Sequence, residues 1–199
     1  MAYTNAGFPT NIPAGSDNLN TADDQLRRLR LDLKERFNDI VDDITADPIV
    51  LKNITPKLAH VYENAGATIS SGVNTTVAWT AETLDTGSFH DNSTNNSRLT
   101  ITDAGYYHLY CVMQLSAGAT TDVIAGIEIR KNGSSTVAIN DQYHPGNSTD
   151  QTFQIGVIVL AAATDYYEVR VLQASGDNWT IRAPTEQSYF EIKRLAGTT

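Results

Sequence analysis

The chain has 199 residues, of which 41% are hydrophobic and 19% charged, and its formal net charge is −9. A chain of this length can form one β domain of about 130 to 150 residues and an appendage, but not two unrelated enzymatic domains. The acidic balance, without Lys and Arg clusters interleaved with aromatic residues, argues against a nucleic-acid partner. Thr, Ser, Asn and Gly are abundant in the second half, which predicts short strands joined by tight turns.

The N-terminus and the single cysteine bear on where the protein is made. The N-terminus has no basic stretch followed by an apolar core, and no apolar run approaches the length of a membrane span. We therefore expect synthesis in the cytosol, with no signal peptide and no membrane insertion. Cys111 cannot form an internal disulfide and falls within a predicted strand, where a free thiol behaves as a small hydrophobic residue.

Residues 1–20 combine Gly, Pro and Asn with isolated apolar residues, a pattern that predicts neither a helix, nor a strand, nor a core. One interpretation is an ordinary unstructured terminus. The other is an extended peptide that docks single apolar side chains into pockets on a partner. The anchors in that second interpretation are Tyr3, Phe8, Ile12 and Leu19.

Residues 21–47 predict a helix. Thr21 is a candidate N-cap with Asp24 three residues later, and Pro48 prevents extension. The apolar positions form one stripe with an eleven-residue repeat, and they are Leu26, Leu29, Leu33, Phe37, Ile40 and Ile44. This stripe can pack on the β domain as an ordinary amphipathic helix, or against copies of itself in an oligomeric stalk. In the stalk interpretation these six residues are the core of a trimer, and residues 48–56 are a linker.

From about residue 57 to residue 199 the apolar period changes from that of a helix to that of a strand, which marks a separate β domain. Short alternating segments between polar turns are typical of a β-sandwich. The predicted strands are 58–63, 75–79, 83–86, 98–102, 106–115, 124–131, 136–140, 151–160, 166–173, 180–182 and 188–194.

Two of these strands are apolar on both faces. A turn at 103–105 precedes a strand whose inward row is Tyr107, Leu109, Cys111, Met113 and Leu115, with Tyr106, Tyr110 and Val112 opposite. The next strand points Ile127 and Ile129 inward before Asn132 and Gly133 reverse it. In 151–160 the inward row is Phe153, Ile155, Val157 and Val159, with Ile158 and Leu160 opposite. Such strands are central in a sheet or face another subunit, which indicates an oligomer.

The segments 65–70, 89–91, 105–109, 129–133, 156–160, 166–171 and 188–192 resemble, in order and spacing, the C1q/tumour-necrosis-factor family of trimeric jelly rolls. The resemblance covers about residues 57–195. It departs at 161–165, where the family usually has a Gly-Asp turn and Asp165 alone remains. The resemblance implies a mainly β, ten-strand jelly-roll sandwich that packs as a homotrimer around a threefold axis, and it implies no enzymatic activity.

The N-terminal part carries a second resemblance. The segments IPAGSDN at 12–18 and TADDQLRRLR at 21–30 are similar to the front end of tailed-bacteriophage structural proteins, in which a short peptide anchors to the particle and a helix begins the stalk. This resemblance covers about 45 residues. Together the two imply a short virion fibre or spike, with an anchor at 1–20, a three-helix stalk at 21–47, a linker at 48–56 and a trimeric knob at 57–199.

The titratable residues contain no catalytic or metal-binding motif. The histidines His60, His90, His108 and His144 are scattered. Asp141, His144 and Ser148 are close in sequence, but we expect them in a polar loop without a nucleophile elbow. Glu82, Asp85 and Asp91 surround Trp79, which suits either a sugar-binding patch or a loop of solvated acids. The sequence also lacks a calcium-binding loop, so we expect no metal, no cofactor and no catalytic residue.

Two polar loops are the candidates for receptor binding, because binding residues often lie on loops held by a rigid scaffold. Their residues are Asn92, Asn95, Asn96, Asn147 and Asp150. We expect a homotrimeric bacteriophage virion protein, either a short fibre or spike or a head-decoration protein. Its tail would contact capsid or tail proteins, and its knob a host-surface glycan or protein. The alternatives are a cellular C1q-like carbohydrate- or protein-binding module and a tail-associated glycan depolymerase.

Overall fold

The computed structural model describes residues 56–116, 122–146, 150–183 and 187–197. The chain divides into two units, Met1–Ile54 and Thr55–Thr199, and every described residue lies in the second. The predicted tail, helix and all but the last residue of the linker lie outside the described residues. So do these predicted site residues: Tyr3, Phe8, Ile12, Leu19, Leu26, Leu29, Leu33, Phe37, Ile40, Ile44 and Asn147.

The described residues form twelve strands, two more than the ten that the resemblance implies. The strands are β1 (Leu58–Tyr62), β2 (Thr68–Ile69), β3 (Thr75–Thr76), β4 (Ala81–Asp85), β5 (Arg98–Thr100), β6 (Gly105–Ser116), β7 (Val123–Lys131), β8 (Ser135–His144), β9 (Gln151–Ala161), β10 (Tyr166–Leu172), β11 (Trp179–Ile181) and β12 (Tyr189–Gly197). Within this part of the chain, no helix has the length and the apolar composition needed to cross a membrane.

The strands form two antiparallel sheets on either side of one core. In the seven-stranded sheet β6 is central, with β9 on one side and β12 and the short β11 end to end on the other. β1 and then β4 follow beyond β12, and β2 pairs with β11. The five-stranded sheet has the order β3, β10, β7, β8, and β5 also pairs with β10. The strands β8 and β9 are thus edge strands of different sheets. Asn140 joins these edges, because its Nδ2 donates a hydrogen bond to the carbonyl of Gln154 at 2.7 Å.

The core confirms the inward rows that the alternation predicts. On β6, all five inward side chains, from Tyr107 to Leu115, have no solvent exposure. Ile127 and Ile129 of β7 and Phe153 of β9 are also buried, and the two tryptophans complete the core between the sheets. A shift of one residue in the register of β6 would turn all five large side chains to the other face, so the alternation fixes this register.

Several strand boundaries differ from the sequence prediction, and the largest shift is at the end of β8. β8 extends to His144, so Asp141 and His144 lie in a strand and not in the predicted loop. The reason is pairing with β7, in which Gly126 lies opposite Asp141 and Val123 opposite His144. The predicted strand at 75–79 is reduced to the two residues of β3, and the two-residue β2 was not predicted. In each case pairing with a neighbouring strand, which one segment's composition does not encode, decides the outcome.

Asp165 holds the turn at 161–165, where the sequence departs from the family that it resembles. Its carboxylate accepts hydrogen bonds from the backbone N–H of Ala162 at 2.8 Å and from Nδ2 of Asn132 at 2.9 Å, and Lys131 Nζ lies 2.6 Å away. Burial raises the pKa of Asp165, but these partners outweigh burial and hold the pKa below its ordinary value. Thr164 has a φ of 75°, in the left-handed region that a β-branched residue rarely adopts. This turn therefore carries local backbone strain.

Candidate oligomer interface

The outer face of the seven-stranded sheet is unusually rich in aromatic and aliphatic side chains. In an antiparallel pair, residues directly opposite each other point to the same side of the sheet. Tyr106 of β6 lies opposite Leu160 of β9, and His108 lies opposite Ile158. We call this surface the tyrosine face, and it consists of His60, Tyr106, His108, Tyr110, Ile158, Leu160 and Tyr189.

Four rings form a continuous row across the tyrosine face. His60 of β1 stacks on Tyr189 of β12 with ring centroids 4.8 Å apart. The centroid of Tyr110 lies 6.3 Å from that of Tyr189 and 6.2 Å from that of His108. Gly156 of β9 makes room for this row, because a Cβ at that position would lie 3.1 Å from Cδ2 of Tyr110. The rings are therefore positioned by strand pairing and by the absence of one side chain.

Polar partners hold His60, at one end of the ring row, and Tyr110, within it. His60 Nδ1 lies 2.7 Å from Glu191 Oε1, and the Tyr110 hydroxyl donates a hydrogen bond to Gln154 Oε1 at 3.3 Å. Burial raises the pKa of the Tyr189 hydroxyl, and the negative charge of Glu191 adds to this effect. Tyr189 is thus a neutral aromatic group at physiological pH. The row presents aromatic ring surface, bordered by the Glu191 carboxylate and by Lys193, which lies opposite His108.

The aliphatic part of the tyrosine face is open to solvent. Ile158 is 63% exposed, Leu160 is 56% exposed, and Tyr106 beside them is 46% exposed. β9 is an edge strand, so its two apolar faces are not explained by a central position. Of the two explanations that the sequence left open, contact with another subunit is the one that fits the strand order. Contiguous apolar surface of this kind marks interaction sites in soluble proteins.

The predicted receptor loops lie far apart. Asn92, Asn95 and Asn96 belong to the loop after β4, and Asp150 immediately precedes β9. β4 and β9 are the opposite edges of the seven-stranded sheet, four strand spacings or about 19 Å apart. Within the first loop, the Asn96 carbonyl accepts a hydrogen bond from the backbone N–H of Trp79 at 2.9 Å. Asn92, Asn95 and Asn96 therefore do not form one combined site with Asp150.

Asp150 is engaged in an ion pair. Its carboxylate accepts two hydrogen bonds from Arg182, from Nε at 3.1 Å and from Nη2 at 3.0 Å. Asn95 has a φ of 58°, so its backbone is committed to the turn. Asn92 is exposed within its loop. Asn92 and Asn95 are thus the exposed asparagines of the described receptor-loop residues, whereas Asp150 is engaged by Arg182.

The structure separates the residues that sequence proximity suggested as a sugar-binding or catalytic group. Trp79 has no exposed surface and packs against Phe190, with centroids 5.9 Å apart, so it cannot present a platform to a sugar. The Asp85 carboxylate accepts hydrogen bonds from the backbone N–H groups of Gly87 and His90. Asp91 caps its own loop, and hydrogen bonds from Ser93 and Thr94 lower its pKa. The interpretation as a sugar-binding patch is therefore wrong, since its aromatic centre lies in the core.

Asp141 and His144 do not face each other. Three residues apart on β8, they project to opposite sides of the strand. His144 is buried, with its ring 5.2 Å from that of Trp179, whereas Asp141 is exposed. Among the described residues, no group of three or more His, Cys, Asp or Glu side chains could hold a metal ion. Cys111 is buried, and burial raises the pKa of its thiol, so it fits the prediction of a small hydrophobic residue.

Solved structures with the same architecture identify the fold. The chain is similar to murine APRIL, with a TM-score of 0.54 and 13% sequence identity over 71% of this chain and 100% of that one. It is similar to Eiger TNF from S. frugiperda, with a TM-score of 0.56 and 18% identity over 72% and 95% of the two chains. The globular domain of zebrafish complement 1qA protein gives a TM-score of 0.50 and 8% identity over 71% and 99%. The fold is a C1q/TNF-like jelly roll.

This result confirms the mainly β sandwich and the C1q/TNF-like architecture that the sequence predicted. No family model matches the sequence, and no curated protein matches it. At these levels of identity, what the jelly roll fixes is the scaffold: the layers, the strand order and the position of the tyrosine face on the outer side of β6, β9 and β12. Function therefore has to be argued from the surfaces of this chain.

Proposed function

We propose that the chain is a homotrimeric, non-enzymatic structural and recognition protein of a bacteriophage virion, a short fibre or spike or a head-decoration protein. The main observation in support of the trimer is the tyrosine face. It places large exposed apolar side chains on an edge strand of the jelly roll, where a monomer would leave them in water. Burying them between copies is favourable by about 25 cal/mol for each Å² of apolar surface removed from water.

A threefold assembly suits this surface. Copies related by a threefold axis meet through two different surfaces, and side chains near the axis meet their own equivalents. The open end of the tyrosine face, with Tyr106, Ile158 and Leu160, would lie at such an axis. The ring row around Tyr189 would then pack against the neighbouring copy. The resemblance to trimeric jelly rolls, read from residues 57–195, independently favours three copies.

The virion role rests on the sequence of the first 47 residues. Single apolar anchors at Tyr3, Phe8, Ile12 and Leu19 suit an extended peptide that docks on capsid or tail proteins. The six-residue apolar stripe from Leu26 to Ile44 suits a three-helix stalk beneath a trimeric knob. In this arrangement the protein resides in the particle, and the knob binds a host-surface glycan or protein with threefold avidity.

A binding role is favoured over an enzymatic one by how the described acids are used. Asp85 and Asp91 are engaged in hydrogen bonds with backbone groups of their own loops, and Asp150 pairs with Arg182. A glycosidase needs two carboxylates that converge on one sugar from a shared cleft. Asp85 and Asp91, two of the three acids near Trp79, instead serve loop structure, and Glu82 lies 3.3 Å from His90 Nδ1, so a depolymerase is the least favoured candidate.

A second candidate is a cellular C1q-like recognition module. What favours it is the likeness in fold to the globular domain of zebrafish complement 1qA protein and to Eiger TNF. This candidate shares the trimer and the binding role with the virion protein and differs in location and partner. The two are distinguished by whether the protein is a component of purified particles.

Two measurements test the proposal. Sedimentation of the full-length chain should give a mass three times the 21.7 kDa of one chain, and a monomer would refute the trimer. Cryo-electron microscopy of purified particles should show threefold knobs on the head or tail, with peptides of this chain in their mass spectrum. Particles that lack this chain would exclude the virion role and leave the cellular module.

A further inference from the structure

A second exposed apolar surface lies on the opposite side of the sandwich, on the outer face of the five-stranded sheet. Ile124 of β7 lies directly opposite Tyr143 of β8, and they are 64% and 60% exposed. Ile139 of β8 is 61% exposed, and Leu172 of β10 is 45% exposed. We call these four residues the β7–β8 patch. Four large apolar side chains on adjacent strands exceed the scattered apolar exposure expected of a protein surface.

An acidic side chain lies within this patch. Asp141 sits between Ile139 and Tyr143 on β8, and its partner across the pair is Gly126, which lies opposite Leu172 on the other side. A Cβ at Gly126 would lie only 1.9 Å from Asp141 Oδ1, so the carboxylate rests over the backbone of β7. Asp141 is exposed, and among the described residues no group donates a hydrogen bond or forms an ion pair with it.

The other acids near the patch behave differently. Glu128 is bound by Arg170 and Arg130 and accepts a hydrogen bond from Thr136 at 2.7 Å, so its charge is compensated within the sheet. Asp122 is held at the rim by hydrogen bonds from the Tyr143 hydroxyl and the Gly146 N–H, and both bonds stabilise its ionised form. Asp141 thus leaves negative charge at the patch without a cationic partner among the described residues, and Asp122 adds a second carboxylate at the rim.

We propose that the β7–β8 patch docks a protein segment that presents apolar side chains flanked by arginine or lysine. The apolar part of such a segment would cover Ile124 and Tyr143. A guanidinium or ammonium group would reach Asp141, whose carboxylate has free acceptor sites and partly apolar surroundings. The patch and the tyrosine face belong to different sheets, so a segment bound at the patch does not occupy the tyrosine face. The inference rests on the recognition role proposed for the knob, and it names the surface and the partner chemistry.

Methyl NMR of the full-length chain, labelled at isoleucine δ1 methyl groups, tests this assignment. The probes are an amidated hexapeptide of alternating arginine with leucine or phenylalanine, and its counterpart with glutamate in place of arginine. We expect the Ile124 and Ile139 methyl signals to shift with the arginine peptide and not with the glutamate peptide. Asp141→Asn should weaken binding about fivefold, which is the scale of one exposed ion pair. Ile124→Ser should weaken it at least tenfold.

Asp91→Asn is the matched control, since it removes one exposed negative charge from the loop after β4 and its amide can still cap that loop. The inference is overturned if the glutamate peptide binds as well as the arginine peptide, or if Asp91→Asn weakens binding as much as Asp141→Asn. It is also overturned if Ile124→Ser prevents copies of the chain from associating with one another, because the patch would then be a contact between copies. A trimer that binds neither peptide refutes this inference alone, whereas a monomer that binds the arginine peptide refutes the trimer alone.

Discussion

The tyrosine face predicts that one substitution on β9 will dissociate the proposed trimer without unfolding the jelly roll. Complete burial of an isoleucine side chain is worth about 1.5–3 kcal/mol. Ile158 is 63% exposed in the single chain, so the part still available for burial is worth about 1–2 kcal/mol for each copy. Ile158→Ser should therefore destabilise the trimer by about 3–6 kcal/mol in all. Ile158→Glu adds three carboxylates near the axis and should leave only monomers at micromolar concentration.

The assay is sedimentation equilibrium of the full-length chain, together with circular dichroism to follow folding. Ile124→Glu is the matched control, because Ile124 is 64% exposed on the outer face of the other sheet and should remain trimeric as a glutamate. The substituted side chain projects into solvent in the single chain, so the sandwich should retain its β signal in both variants. The reasoning is refuted if Ile158→Glu stays trimeric, or if Ile124→Glu dissociates the trimer equally.

Three further predictions concern stability and reactivity. Burial raises the pKa of Glu128, but hydrogen bonds from Thr136, Arg170 and Arg130 outweigh burial and hold the pKa below the ordinary 4.5. The ionised Glu128 therefore stabilises the fold above pH 4.5, and this stabilisation is lost as the pH falls through the folded-state pKa. Glu128→Gln should lower the free energy of unfolding by about 1–3 kcal/mol at pH 7 and by much less at pH 3. Urea titrations at the two pH values measure this, and equal losses at both would contradict the prediction. Thr164→Gly should relieve the left-handed strain at the 161–165 turn and raise the melting temperature by up to about 4 °C, so a lower melting temperature would count against the strain. Cys111 should resist iodoacetamide at pH 8 in the native protein and react in urea, as followed by mass spectrometry, and rapid native labelling would show that it is not buried.

The strand pattern was predictable where alternate residues are large and apolar. The inward row of β6 can face only the core, because a slip of one residue would expose all five of its side chains. The end of β8 was not predictable in this way. Asp141 to His144 read as a polar loop, and they are a strand only because β7 supplies backbone partners from Val123 to Gly126. Pairing of this kind depends on the partner strand and is not encoded in the composition of the paired segment.

The candidate interface was partly predictable, because alternation of apolar residues also marks the outer face of a strand. Ile158 and Leu160 indicate a second apolar face on their strand. They do not distinguish a central strand from an edge strand, because that distinction depends on the order of the whole sheet. The stacking of His60 on Tyr189 joins strands from opposite ends of the domain, so neither residue stood out in the sequence. For Trp79 the sequence suggested an exposed sugar-binding patch, and the structure shows a buried residue. Its acidic neighbours suggested an exposed site, whereas its own indole ring fills the core.

The position of β9 at the edge of its sheet makes coverage by another copy the economical arrangement. An edge strand with exposed apolar side chains invites uncontrolled pairing unless something blocks it. The free edge of β9 already contacts the other sheet, because Asn140 of β8 donates a hydrogen bond to the Gln154 carbonyl. This contact engages one carbonyl of β9 and leaves Ile158 and Leu160 uncovered. Closure around a threefold axis would bury those side chains in a finite assembly, whereas an open contact between unlike surfaces would propagate into filaments.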